Sequence, residues 1–336
     1  MIVKEIGEFG LIDRIAKMLP GYPPDVVVGI GDDVAVLKTS GDDYLLATCD
    51  MQMEGVHFTR GSISAFQLGS RAVAINVSDI AAMGGKPSWL LVSLAIPETT
   101  EVSFIDDLYR GFREQAAKAG AAIVGGNLSR SDSGIVIDIT LLGQIAPELL
   151  LLRSGARPGD SILVTGNPGE SRAGLELVRR PALEIGDTMR KSALERHLTP
   201  QPRLREGQVL ALSGMVHAMA DVSDGLLADL GHICDASRTG AVIEADKLPV
   251  SELVAHISSA SDSIALDWVL AGGEDYELLF TADKKSVPDI RQLLREQTGT
   301  ICHEIGTITA DTGKVRLSSA DGRVSVKTGW DHFMDR

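Results

Sequence analysis

Residues 65–96 read Ala65-Phe-Gln-Leu-Gly-Ser-Arg-Ala-Val-Ala-Ile-Asn-Val-Ser-Asp-Ile-Ala-Ala-Met-Gly-Gly-Lys-Pro-Ser-Trp-Leu-Leu-Val-Ser-Leu-Ala-Ile96. Phe66, Val73, Val77 and Ile80 recur near the helical period, which predicts a helix over Ala65–Met83. Gly84-Gly85 stops it, and Pro87 keeps it from resuming. The apolar run Trp89–Ile96 then reads as a strand. A helix feeding a strand after so short a turn is the unit from which α/β domains are built.

The same alternation extends outward in both directions. Tyr44–Cys49 reads as a buried strand that ends at Asp50. Val102–Ala119 carries Phe104, Leu108, Phe112 and Ala116 at intervals of four and reads as a helix, and Ala122–Val124 and Ile135–Ile145 read as strands. The turn formers of Arg153–Asp160 place a boundary just before them, near Pro147. Beyond it, Ser161–Thr165, Ser171–Arg179, Val216–Ala220 and Leu226–Ala236 repeat the strand–helix order, and a hairpin is expected to close the chain. The expectation is two α/β domains of similar size, residues 1–147 and 148–336.

Composition narrows the partners. Among 336 residues, 46 acids face 32 bases, a net charge of −14, which argues against a nucleic-acid binder and against a polybasic membrane-surface protein. The most apolar stretch, Gly134–Leu152, is interrupted by Asp138, Gln144, Pro147 and Glu148 and is no membrane span. Cys49, Cys234 and Cys302 form no paired framework, and Met1–Gly10 lacks the apolar core of a signal peptide, so a reduced, cytoplasmic protein is expected.

The aspartates carry the functional signal. Gly29-Ile-Gly-Asp-Asp33 follows the short run Val26–Val28, Asp50 ends a strand, and Asp221-Val-Ser-Asp224 follows one strand and opens a helix. Aspartate caps and turns for structural reasons alone, so any one of these is ambiguous. Asp79 is not of that kind: it lies among Val77, Ile80 and Ala81 on a helix with no Lys or Arg within four residues. Carboxylates that converge repel, by about 4 kcal/mol per pair at 4 Å and an effective dielectric of 20. Mg²⁺ is the expected counterion, and Mg²⁺ shared between carboxylates and phosphates is the usual arrangement for phosphoryl transfer.

Glycine motifs exclude some classes and leave others open. There is no GxxxxGK[ST] and no GxGxxG after the first strand, which sets aside Walker-type NTPases and nicotinamide enzymes. Gly125-Gly126-Asn127, Gly166-Asn-Pro-Gly169 and Gly272-Gly273-Glu274-Asp275 could each bring backbone amides to a phosphate, or be plain turns. His57, just after the Asp50 segment, could contact substrate or serve the structure, and Trp330 could be core or a stacking lid for a ring.

Taken together, Gly29–Asp33, Asp50-Met-Gln-Met-Glu-Gly-Val-His-Phe58, Asn76-Val-Ser-Asp-Ile-Ala-Ala-Met-Gly84, Asp221-Val-Ser-Asp-Gly-Leu-Leu-Ala-Asp229 and Gly272-Gly-Glu-Asp-Tyr-Glu-Leu-Leu-Phe280 resemble the thiamine-monophosphate kinases. The resemblance runs from Gly7-Glu-Phe to Asp331-His-Phe333. The Gly-Ile-Gly-Asp-Asp element is shared with the wider aminoimidazole-ribonucleotide-synthetase-like superfamily, whereas the Glu54–Phe58 and Gly272–Leu278 segments point to the kinases.

The resemblance implies an ATP- and Mg²⁺-dependent enzyme that converts thiamine monophosphate directly to thiamine diphosphate. It implies a homodimer whose N-terminal domains pair to extend their sheets. It implies Asp33, Thr48, Cys49, Asp50, Asp79, Asn127, Asp221 and Asp224 at the metals, with Asp50, Asp79 and Asp221 central to catalysis. Tyr109, Gly125, Gly126, Arg153 and Ser223 would contact ATP, and His57, Glu274 and Trp330 would contact thiamine monophosphate.

Two positions depart from the family pattern. Asn127 stands where an aspartate is usual, and Cys49 where a hydroxyl residue is usual. A thiol is a poor partner for a hard ion. Both positions serve one metal beside Asp50 in relatives, so that metal is expected to bind more weakly here or to enter only with ATP. The alternatives are another ATP-dependent reaction of the superfamily or a catalytically silent nucleotide-binding homologue. A selenophosphate synthetase would want a reactive Cys near the N-terminus, and the first here is Cys49.

Overall fold

The structure, a computed structural model, describes residues 2–318. Helix α1 (Gly7–Met18) precedes a first sheet of β1 (Val26–Val28), β2 (Ala35–Lys38), β3 (Tyr44–Met53), β4 (Lys86–Ile96), β5 (Ala122–Arg130) and β6 (Val136–Ile145). Helix α2 (Ala65–Ala82) lies between β3 and β4, and α3 (Val102–Ala119) between β4 and β5. The strand order is β1-β2-β3-β6-β4-β5. Neighbours are antiparallel except β4 and β5, which are parallel, so their connection needs the crossover helix α3.

The second sheet contains β7 (Ser161–Thr165), β8 (Val216–Asp221), β9 (Gly240–Glu244), β10 (Leu278–Ala282), β11 (Cys302–Thr309) and β12 (Val315–Ser318) in the order β12-β9-β11-β7-β10-β8. Its helices are α4 (Glu170–Arg179), α5 (Asp187–Leu198), α6 (Leu204–Ser213), α7 (Leu226–Ser237), α8 (Glu252–Ala260), α9 (Ala265–Ala271) and α10 (Val287–Thr298). Both domains are mixed α/β, as the alternation predicts.

Helix α2 is the central beam. Ser64 caps it by accepting from the Gln67 amide at 3.2 Å, and the Gln67 side chain returns the bond to the Ser64 amide at 3.1 Å. Val73, Val77 and Ile80 bury against the inner face of the first sheet, where Leu46, Leu90, Ile137, Ile139 and Leu141 are fully enclosed. Helix α3 crosses α2 so closely that a Cβ on Gly69 would stand 2.1 Å from the Leu108 carbonyl oxygen. On its far side, α2 meets α6 of the second domain, where a Cβ on Gly207 would stand 2.1 Å from the Ala81 oxygen. The side chains of α2 therefore reach both domains.

Two local expectations are corrected. The strand expected to end at Asp50 continues to Met53, because β6 pairs with it from Tyr44↔Ile145 to Met53↔Val136. Gly125-Gly126-Asn127 lie inside β5, not in a loop after it, since the ladder to β4 runs on to Arg130. A Cβ on Gly126 would fall 1.9 Å from the Val92 oxygen across that ladder, so the glycine serves the strand pairing. The hairpin expected to close the chain beyond Thr309 lies mostly outside the described residues; within them β9 sits between β11 and β12 and pairs with both. Among the described residues no helix is long and apolar enough to cross a membrane, and all three cysteines are free.

Candidate active site

Three carboxylates from distant parts of the chain converge. Asp33 comes from the loop after β1, Asp79 from the last turn of α2, and Asp221 from the end of β8. Each offers an oxygen, and these oxygens lie within 4.8 Å of one another. Thr48 on β3 donates its hydroxyl to Asp79 at 2.5 Å. Ser78 donates to Asp221 at 2.6 Å. Arg153 binds Asp33 through its guanidinium, with Nε at 3.0 Å, and its backbone amide donates to Asp32 at 3.1 Å. One oxygen of Asp33, Oδ2, is buried without any hydrogen-bond partner.

The electrostatics follow from burial and crowding. Burial first, then the neighbouring Asp33, pushes Asp221 up to about 8. Burial, Asp138 and Asp224 push Asp50 up to about 6. Asp79 is driven well above the usual carboxylate range by burial, with Asp50 and Asp221 adding to it. Without a cation the cluster therefore holds protons at neutral pH. One guanidinium, that of Arg153, is its only ion-pair partner among the described residues.

A second acidic group lies next to the first. Asp224, Asp229 and His232 also present atoms within 4.8 Å of one another. Asp229 accepts from the backbone amides of Ser223 at 3.2 Å and Gly225 at 3.1 Å, which fixes the turn that opens α7. Sequence reasoning gave Asp229 no role, because an aspartate in the first turn of a helix looks like ordinary capping chemistry. Asp32 and Asp138 were likewise missed: Asp32 is pushed up to about 7, mainly by burial, and Asp138 is one of the charges that acts on Asp50.

Glu274 and His57 lie near each other at another side of the site. Burial would raise the Glu274 carboxyl, but the Arg71 guanidinium, foremost among the groups around it, holds it below its ordinary value. The His57 ring accepts from the Met53 amide at 3.0 Å. Buried Tyr276 feels Glu274, Asp50 and Asp221 at once, which sets Glu274 beside the aspartate cluster. Trp330 lies outside the described residues. Of the three glycine motifs, Gly166–Gly169 is already filled from within: the Gly169 and Ser171 amides donate to Asp275 at 2.6 and 3.0 Å, leaving no cradle there for a phosphate.

The remaining sequence-selected residues are not gathered with the cluster. Asp50, Ile139, Val92 and Gly126 form one row across β3, β6, β4 and β5. Gly125, Gly126 and Asn127 are therefore three strand spacings, about 14 Å, from the Cys49–Asp50 pair. Tyr109 on α3 belongs to that far edge; it packs edge-on against Phe112 and lines an open cavity of about 730 Å³ with Asp106, Arg110 and Arg113.

Two mixed domains with aspartates meeting at their junction define a class that comparison with known proteins identifies. Residues 31–145 match the N-terminal domain of AIR synthase related proteins, and residues 157–318 match the C-terminal domain. Within that class the relatives are specific. The thiamine-monophosphate kinase of Aquifex aeolicus is 37% identical over 335 residues, covering 99% of this chain and all of the relative. That of Escherichia coli K12 is 36% identical over 337 residues, covering 97% and 98%. A solved structure, AaThiL complexed with AMPPCP and TMP, superposes with a TM-score of 0.86 at 36% identity and 99% coverage of both chains. The chain belongs to the thiamine-monophosphate kinase family.

Proposed function

We propose that this protein transfers the γ-phosphoryl group of ATP to thiamine monophosphate. An oxygen of the acceptor phosphate forms the new P–O bond, the bond from γ-phosphorus to the β,γ-bridging oxygen breaks, and thiamine diphosphate and ADP leave. The observation that carries this reading is the Asp33–Asp79–Asp221 cluster in a chain of this family.

The residues present fit Mg²⁺. Their donors are hard oxygens, Oδ2 of Asp33 is buried with no hydrogen-bond partner, and three converging carboxylates outnumber the one guanidinium. Asp33, Thr48, Asp50, Asp79, Asp221 and Asp224 would hold the ions. Cys49 and Asn127 would serve one of them more weakly than a hydroxyl and a carboxylate do. When bound, Mg²⁺ neutralises phosphate charge and draws electron density from the transferring group.

The chain's own groups do the rest. Arg153 and the Ser223 backbone face the nucleotide, and Arg153 adds a fixed positive charge at the cluster. His57 and Glu274 meet the acceptor, Glu274 as a carboxylate opposite the cationic ring of thiamine. A phosphate oxygen is already nucleophilic at neutral pH, so positioning and charge stabilisation suffice without a strong general base.

The nucleotide contacts on the far edge imply a second copy of the chain. Asn127 lies about 14 Å from Asp50 within one chain, too far to hold the same ion, and Tyr109, Gly125 and Gly126 belong to that same far edge. The outer face of the first sheet exposes Met51, Trp89, Leu91 and Val124, an apolar surface suited to burial. A homodimer through this face, with β5 of one copy meeting the aspartates of the other, would complete the site. The protein would act in the cytoplasm, consistent with its three free cysteines.

The test is ADP release from Mg-ATP with a panel of acceptors. Thiamine monophosphate should support turnover and thiamine should not. Turnover with thiamine alone would overturn the reading.

A further inference from the structure

Among the described residues Arg71 is the largest fully buried side chain, at 1% exposure within α2. A guanidinium taken out of water needs a partner, and this one has Glu274, to which Nη2 donates. Nη1 reaches the His197 carbonyl at 3.5 Å, and Nε has no partner. Stability does not call for this arrangement, because exchanging a buried ion pair for apolar side chains of similar volume is often neutral or stabilising.

The other end of the pair gives the reason. Glu274 and Tyr276 both adopt left-handed backbone conformations, φ 63° and 52°, which are unfavourable for residues with a Cβ. Backbone bonds hold the loop there: Glu274 N to Ser223 O at 2.7 Å and Tyr276 N to Val222 O at 2.8 Å. The backbone is thus fixed, yet the Glu274 side chain remains 29% exposed and would swing into solvent without a tether. Arg71 takes Oε1. His197 lies 3.5 Å from Oε2, and its ring stands 3.1 Å from the Ser171 hydroxyl. Burial, with Arg71 second, pushes His197 down to about 4, so its ring is neutral and Arg71 is the charged partner.

We infer that Arg71 is a positioning residue for the acceptor: it holds the Glu274 carboxylate in one orientation at the mouth of the site. Asp79 sits two turns further along α2, about 12 Å away. One rigid helix thereby sets the acceptor-binding carboxylate in register with the cluster where phosphoryl transfer takes place. The inference rests on Glu274 contacting the acceptor, as proposed above.

The experiment compares Arg71→Ala, Arg71→Lys, Glu274→Gln and the Arg71→Ala/Glu274→Gln double variant, with KM measured separately for ATP and for thiamine monophosphate. Arg71→Ala should raise the acceptor KM about tenfold, the loss of one charge-assisted hydrogen bond, and leave the ATP KM within about twofold. Arg71→Lys, which keeps the charge but not the planar fork, should recover part of that loss. The double variant should be no worse than Glu274→Gln. A purely structural role predicts instead that both KM values and the melting temperature shift together. If Glu274→Gln raises the acceptor KM while folded Arg71→Ala does not, the positioning role is overturned and the site reading stands. An unchanged acceptor KM in Glu274→Gln overturns the role assigned to Glu274, and this inference with it. Should Arg71→Ala fail to fold, Arg71→Gln replaces it, with the same expected rise and the same refuting result.

Discussion

Ser78 and Asp221 join the two domains at the active site: the Ser78 hydroxyl donates to Asp221 Oδ2 at 2.6 Å, with both side chains buried. The bond comes from the residue next to Asp79, so one turn of α2 supplies a ligand to the cluster and a hydroxyl to its neighbour. Ser78→Ala leaves a buried carboxylate with one donor fewer, at a cost of about 1–3 kcal/mol. Urea denaturation should register that loss. It should also weaken Mg²⁺ binding, because the Asp221 proton becomes harder to displace.

Asp79→Asn keeps an oxygen to accept from Thr48 and removes the charge. Turnover should fall by about 10²–10³-fold, the usual effect of losing one preorganised electrostatic contact. The melting temperature of the metal-free variant should equal or exceed that of the wild type, because burial and like charges already disfavour this carboxylate. Near-normal kcat would remove Asp79 from the site.

The pH dependence of the metal-free protein has a definite sign. Asp221 titrates at about 8 in the folded state, so between the ordinary carboxylate value and 8 the folded protein binds more protons than the unfolded one. Stability therefore falls as pH rises through that window. His197 and His232 are held down to about 4, so they favour the folded state as pH rises toward 6.5 and add no slope above it. From pH 7 to 8.5 the metal-free melting temperature should drop, and millimolar Mg²⁺ should flatten the drop by taking the place of the proton. Parallel curves with and without Mg²⁺ would mean that the cluster binds no cation.

Leu91 is 40% exposed on the outer sheet face and was given no contact with either substrate. Leu91→Lys should convert a dimer to monomers on a sizing column and abolish turnover, because a single chain keeps Tyr109 and Asn127 away from Asp50. A fully active monomer would contradict the shared-site arrangement.

Much of this was readable before the structure, and the limits are physical. The period of Val73, Val77 and Ile80 marks α2 as a helix, and the absence of a nearby cation marks Asp79 as unusual. What periodicity cannot supply is a partner. Thr48 lies 31 residues from Asp79, Ser78 143 from Asp221, and Arg71 203 from Glu274. Arg71 passed unnoticed because one arginine on an apolar helix carries no local signal. Gly125-Gly126-Asn127 misled because glycines suggest a loop, whereas here the close approach of the Val92 carbonyl demands one inside a strand. The Gly166–Gly169 turn looked open to a phosphate because nothing in the sequence reveals that Asp275 fills it.

The most direct test of the central claim is the fate of label from [γ-³²P]ATP incubated with the enzyme, Mg²⁺ and thiamine monophosphate. The account predicts that all transferred label appears in the terminal phosphate of thiamine diphosphate, with one ADP formed for each. Label released as inorganic phosphate with no thiamine diphosphate, or AMP in place of ADP, would contradict it.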